Sequence, residues 1–229
     1  MEKKEEKLTF SDKLGKWILK NRVILISILV VLFVGGVVSA IAFSAVKSNT
    51  EKKYAELYAL STEYNSVTVN VELSDDEKKQ QNDDILAKVL KVAEDNSKNG
   101  LGIRAYMLAA EIQFNNKDYS NAASSWDNAA KINPKAYTAP LCLYNAAVCY
   151  EELGNIDGAI ANIKKACESE NFTLKSKAIF NLGSLEEGRG NFAAAAEYYN
   201  DLVQNYSSDE KAKFAKSRLI FLTEQGKLN

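Results

Sequence analysis

The sequence predicts an all-α protein, a solenoid of helical hairpins preceded by a single transmembrane helix. Three observations carry this. A run of 24 residues near the N-terminus holds no charge, helix-forming residues dominate the remainder with only two prolines (Pro134 and Pro140), and a hairpin-sized unit recurs every 36 or 37 residues.

In chain order, residues 1–22 read as a basic, amphipathic cytoplasmic tail. Leu8, Phe10, Leu14, Trp17 and Ile18 recur at helical spacing among lysines, with Trp17 placed as an anchor at headgroup level. Residues 23–46, VILISILVVLFVGGVVSAIAFSAV, form the span: as a helix they reach about 36 Å, enough to cross a hydrocarbon core of about 30 Å. The rival reading is a cleaved signal, for which Ala40-Ile41-Ala42 supplies a small-x-small site. The apolar run exceeds an ordinary signal-peptide core, so a retained signal anchor is expected. Lys7, Lys13, Lys16, Lys20 and Arg22 before the span, against Lys47, Lys52 and Lys53 after it, put the N-terminus on the cytoplasmic side. Gly36, Ala40 and Ser44 fall four apart and give the span one small-residue face.

Residues 47–100 read as a degenerate hairpin, with helices over 50–64 and 75–96 and an extended connector, VTVNVEL, between them. The second of these helices gathers Ile85, Leu86, Val89, Leu90 and Ala93 on one face. Residues 101–207 hold three repeats. Their second helices align as NNKDYSNAASSWDNAAKINP, ELGNIDGAIANIKKACESEN and GRGNFAAAAEYYNDLVQNYS, and an apolar first helix begins near Ile103, Pro140 and Ser176. The equivalent alanines Ala122, Ala159 and Ala195 lie 37 and 36 residues apart. Gly154 and Gly190 stand at the hairpin turns, where a positive φ is easily adopted. Residues 208–229 are expected to form a solvating terminal helix, opened by a capping Ser.

Composition excludes several functions. The net charge is −1, and from residue 47 onward 22 basic side chains face 26 acidic ones, so nucleic acid is not an expected partner. The chain has no histidine, which removes the commonest general base and zinc ligand. Cys142, Cys149 and Cys167 have neither zinc spacing nor an even-numbered disulfide framework, and read as small buried residues. Glu151 with Glu152 and Asp83 with Asp84 are sequence neighbours on different helix faces, and read as solvated surface. No enzyme, cofactor or metal is expected.

The hairpin pattern resembles the tetratricopeptide repeat (TPR), a helical hairpin of about 34 residues with small residues where its helices cross and large ones beside them. The match runs through Tyr106, Ala110, Tyr119, Ala122, Trp126, Ala129 and Pro134, then Leu143, Ala147, Tyr150, Gly154, Ile156, Ala159, Ile163 and Ala166. In the third repeat it runs through Ile179, Gly183, Gly190, Phe192, Ala195 and Tyr199, with Leu202 where the last alanine would stand. The resemblance implies a right-handed superhelix whose concave face is lined by first-helix side chains. On this sequence they are Arg104, Met107, Glu111 and Phe114; Leu141, Tyr144, Asn145 and Val148; and Lys177, Phe180 and Ser184. A clamp for chaperone carboxylates is incomplete: Asn145 and Lys177 match it, whereas Met107, Glu111 and Asn181 occupy its other places.

The layout of basic tail, signal anchor and repeats resembles the ancillary subunit of the SecYEG translocon and related bacterial inner-membrane TPR proteins. That resemblance implies a periplasmic domain acting as an adaptor in protein export or envelope biogenesis, with translocon, chaperone or exported polypeptides as partners. A second reading is a scaffold, a homo-oligomer joined through the groove or the small-residue face of the span.

Overall fold

A computed structural model describes residues 9–228. Lys7 and Leu8 of the expected tail, and Asn229 of the expected terminal helix, lie outside the described residues. Among those described, the chain forms nine helices: α1 (Phe10–Val69), α2 (Asp75–Asp95), α3 (Gly100–Asn115), α4 (Tyr119–Ile132), α5 (Ala139–Glu152), α6 (Ile156–Cys167), α7 (Lys175–Gly188), α8 (Phe192–Asn205) and α9 (Glu210–Glu224). The protein is all-α, stacked helical hairpins after a long apolar N-terminal helix. Two compact units divide it, one ending at Ala55 and the other beginning at Glu56.

In the first unit, α1 opens where Thr9 and Asp12 bond reciprocally: the Asp12 carboxylate accepts from the Thr9 N–H at 3.0 Å and from its hydroxyl. Of the described helices, α1 is the one long and apolar enough to cross a membrane, and the protein buries none of its apolar window. The Ser27 hydroxyl donates to the Val23 carbonyl at 2.8 Å, so that donor is met within the helix itself.

The second unit begins with the last turns of α1, which bury Leu57, Leu60, Tyr64 and Val67 at i, i+3 and i+4 spacing. Here the structure differs from the extended connector read at VTVNVEL. Val67, Thr68 and Val69 are helical, and the irregular connector is confined to residues 70–74. Tertiary burial of Val67 overrides the strand preference of a β-branched run, and the Thr68 hydroxyl closes on the Tyr64 carbonyl at 2.8 Å. Ser74 and Glu77 then form a capping box that starts α2.

The hairpin turns are chemically uniform. At Lys117, Gly154 and Gly190 φ is +62°, +70° and +82°. The N–H of each donates three residues back at 2.9 Å, and the N–H of the next residue donates five back at 2.8 Å, from Asp118 to Gln113, Asn155 to Tyr150 and Asn191 to Glu186. This double bond satisfies orphan carbonyls at the end of the first helix. The following Asp118 or Asn155 caps the next helix. The turn recurs at Gly226 (φ +65°), where Gly226 donates to Thr223 and Lys227 to Leu222, both at 2.9 Å. Thus α9 ends as first helices end.

Small residues set the helix spacing. A Cβ on Gly183 would lie 2.5 Å from the Tyr199 ring, and one on Gly102 would lie 2.1 Å from the Asn96 carbonyl oxygen. Ala105, Ala109, Ala146, Ala147, Ala159, Ala178 and Ala195 are buried at other crossings. Between them sit Ile85, Val89, Ile112, Ile163, Tyr199, Leu202 and Leu222, all below 2% exposed, and each such apolar side chain contributes roughly 1.5–3 kcal/mol by burial. Glu186, also buried, is met by the Arg189 guanidinium at 2.6 and 2.9 Å and by the Asn191 amide at 3.0 Å. Its charge is therefore compensated within the fold.

The terminal helix α9 departs from expectation twice. Its cap is Asp209, not a serine: the Asp209 carboxylate accepts from the Lys211 N–H and from Ser176 on α7, at 2.8 and 2.7 Å. Its outer side is not simply solvating, since Phe214, Ile220 and Phe221 are 46%, 52% and 41% exposed.

Candidate polypeptide-binding face

The first helices α3, α5 and α7 carry every residue expected to line the binding face. Glu111, Phe114, Asn145 and Val148 come together with Trp126 of α4 around a pocket of about 190 Å³. Phe114 is held edge-on to Tyr119, ring centroids 5.2 Å apart, so its orientation is fixed from below. Met107 is half-buried beside the core cluster of Ile103, Ala129 and Cys142. Phe180 is half-buried against Tyr199 and Phe214, at 5.6 and 6.3 Å. Leu141 is half-buried, and Arg104, Lys177 and Ser184 are exposed.

Tyr144 stands apart from the others. It is 3% exposed and belongs to the core with Ile160, Ile163 and Phe172, its ring 6.0 Å from Phe172. Its hydroxyl accepts from Asn181 at 2.8 Å, and Lys177 lies over its ring at 5.6 Å. Tyr144 therefore supports the face from beneath, and Lys177 and Asn181 are positioned by it. Burial raises the Tyr144 phenol above its ordinary range, so it stays neutral at physiological pH.

Trp126 is the lining residue that the first-helix rule missed. It sits on a second helix, where a large residue of the repeat reads as core, and only the packing of α4 beneath Phe114 and Val148 brings it to the pocket. A larger opening, of about 450 Å³, lies between α4 and α6, with Lys131, Lys135, Lys165 and Glu168 on its walls. Its charged rim and the Asp127 carboxylate, already bonded by Tyr150 and Asn162 at 2.9 Å each, make it a solvated cleft between repeats.

The thiols take no part. Burial pushes Cys142 up to about 12 and Cys149 up to about 11, so neither forms a thiolate nucleophile at neutral pH. Among the described residues no cluster of acidic or cysteine side chains could hold a metal ion.

Hairpins repeating at 36 or 37 residues, presenting a half-buried aromatic and aliphatic face, define a protein of the helical-repeat interaction class. The chain belongs to the tetratricopeptide repeat-like domain family, whose profile it matches over residues 16–209, a stretch that takes in the apolar segment as well as the hairpins. This is a family generally non-catalytic, whose repeats imply protein partners. A TPR repeat-containing protein of Treponema pallidum (strain Nichols) is 30% identical over 122 residues, 53% of this chain and 51% of that protein. The chain thus matches about half the length of this curated relative. Among solved structures, the crystal structure of MamA aligns with a TM-score of 0.46 and 16% identity, covering 68% of this chain and 99% of that one.

Proposed function

We propose that this protein is a membrane-anchored adaptor that binds polypeptide partners through the first-helix face of its repeats, in protein export or envelope biogenesis. The observation that carries the reading is the pocket of Phe114, Trp126 and Val148, with Met107 and Phe180 exposed in part on either side, in a chain that also carries a helix apolar enough to be an anchor. A half-buried aliphatic and aromatic surface with Glu111 on one margin and Lys177 on another suits apolar anchors of an extended or helical client.

The export setting rests on layout: a basic tail, an anchor and repeats, as in the ancillary translocon subunit. With the N-terminus in the cytoplasm, the repeats face the periplasm and meet translocon, chaperone or exported chains as they emerge. The test is photo-crosslinking from Val148 in membranes holding the full chain. Adducts with translocon components, chaperones or exported polypeptides are expected. Adducts confined to cytoplasmic proteins would overturn the placement, and no adducts at Val148 would overturn the face.

A further inference from the structure

Where α7 meets its neighbours, the chain answers acids and ring faces with its own cations. Glu186 is met by Arg189, and Glu187 by Arg218 of α9. Lys177 lies over the Tyr144 ring, Lys211 lies 5.8 Å from the Phe180 centroid, and Arg218 lies 4.7 Å from that of Phe221 while it holds Glu187. The pocket formed by α3, α4 and α5 is different. Glu111, Phe114, Trp126, Asn145 and Val148 line it, and Glu111 is the charged residue among them. Among the described residues the Glu111 carboxylate meets no cation, the Asn145 amide makes no hydrogen bond, and no cation lies over the Phe114 or Trp126 ring. Both rings are nonetheless held in place. Phe114 and Trp126 pack on the cluster of Ala122, Ala123 and Cys149, and Trp126 packs also on that of Ala129 and Cys142.

We propose, resting on the reading that this face binds polypeptide, that the pocket takes an arginine side chain of the client. The aliphatic stem lies along Val148, the guanidinium packs against Phe114 and Trp126, and its N–H groups donate to the Glu111 carboxylate and the Asn145 side-chain oxygen. Within the chain Arg218 already joins an aromatic ring to a first-helix glutamate in this way, between Phe221 and Glu187. Other side chains fit less well. An apolar one leaves the Glu111 carboxylate and the Asn145 amide without partners as the client displaces water from them. An acidic one meets like charge at Glu111. Lysine brings the charge as a compact, strongly hydrated point with no plane to stack on the rings, so it ranks below arginine. Because both rings are packed before the client arrives, little ordering is lost on binding. The pocket thus selects segments in which an arginine is flanked by apolar residues.

The experiment is fluorescence anisotropy of labelled leucine- and serine-containing peptides titrated with the full chain in neutral detergent, with detergent alone as the blank. The peptides are identical except for one central residue, which is arginine, its neutral isostere citrulline, or glutamate. The arginine peptide should bind saturably, the citrulline peptide roughly tenfold more weakly, and the glutamate peptide more weakly still. Glu111→Gln, at an exposed position, should bring arginine down to the citrulline level and leave citrulline binding unchanged. Glu111→Lys should invert the order, so that the glutamate peptide binds better than the arginine one. Equal binding of the arginine and citrulline peptides, or an arginine preference that survives Glu111→Gln, would overturn the arginine site and leave the polypeptide-binding face standing. Absence of saturable binding by any of the peptides would overturn both.

Discussion

The tightest constraints act on single residues at the helix crossings. The atom nearest a Cβ on Gly102 is a backbone carbonyl oxygen, which cannot swing aside, whereas on Gly183 it is a tyrosine ring. That ring is itself tied down, since the Tyr199 hydroxyl donates to Glu187 at 3.0 Å. Overpacking costs about 1–3 kcal/mol, so both Gly102→Ala and Gly183→Ala should lower the urea midpoint, Gly102→Ala by more. Glu187 gives a second residue-scale prediction. Hydrogen bonds from Arg218, with a further one from Tyr199, hold its carboxyl below the ordinary glutamate range, against the opposing effect of burial. A depressed carboxylate contributes stability above its unfolded pKa and loses it as pH falls through the folded one. The attachment of α9 to α7 should therefore weaken on acidification below the ordinary glutamate pKa. In Glu187→Gln this acid dependence should flatten, as melting curves collected across that range will show. Much at this scale was legible: Gly183, Ala122, Ala147, Ala159 and Ala195 are buried where the repeat pattern asks for small residues, whereas Ala105, Ala109, Ala146 and Ala178 are buried outside the matched positions. Tyr144 was not legible, because position within a helix cannot tell a lining side chain from one turned a few tens of degrees into the core.

At the scale of the element, the recurring turn is the most informative unit. Glycine marks it at Gly154 and Gly190, and the sequence displays both. The first turn uses Lys117 at φ +62°, where an L-residue with a Cβ pays about 1–2 kcal/mol, so it carried no glycine signal to read. Lys117→Gly should raise the thermal midpoint of the repeat unit, and Gly154→Lys should lower it by a similar amount. Gly226 was in view in the sequence, 36 residues beyond Gly190, but it falls outside the three aligned segments, and α9 read as a plain cap. The boundary of α1 was obscured for another reason. Val67, Thr68 and Val69 favour strand locally, and only the burial of Val67 beside Tyr64, whose hydroxyl accepts from Asn115 of α3 at 2.7 Å, keeps the helix going.

For the whole molecule, two facts stand together: the family profile runs from residue 16 to residue 209, across the apolar helix and the three hairpins, and the repeats offer a half-buried aliphatic and aromatic face. The fold class was readable because one of its parts is an unbroken apolar run and the other recurs at a fixed repeat length. The pocket was readable in four of its five lining residues, since Glu111, Phe114, Asn145 and Val148 follow from the repeat register. Trp126 arises from packing between helices, which no single helix displays. The central claim is the proposal that this face binds extended or helical segments of a polypeptide client. It is tested most directly by titrating the detergent-solubilised full chain with a reduced, permanently unfolded protein carrying a fluorescent label, and reading anisotropy. Saturable binding is predicted, weakened at least tenfold, or about 1.4 kcal/mol, by Val148→Glu and unaltered by Lys131→Glu in the cleft between α4 and α6. Equal binding by the parent and Val148→Glu, or loss with Lys131→Glu instead, would contradict it.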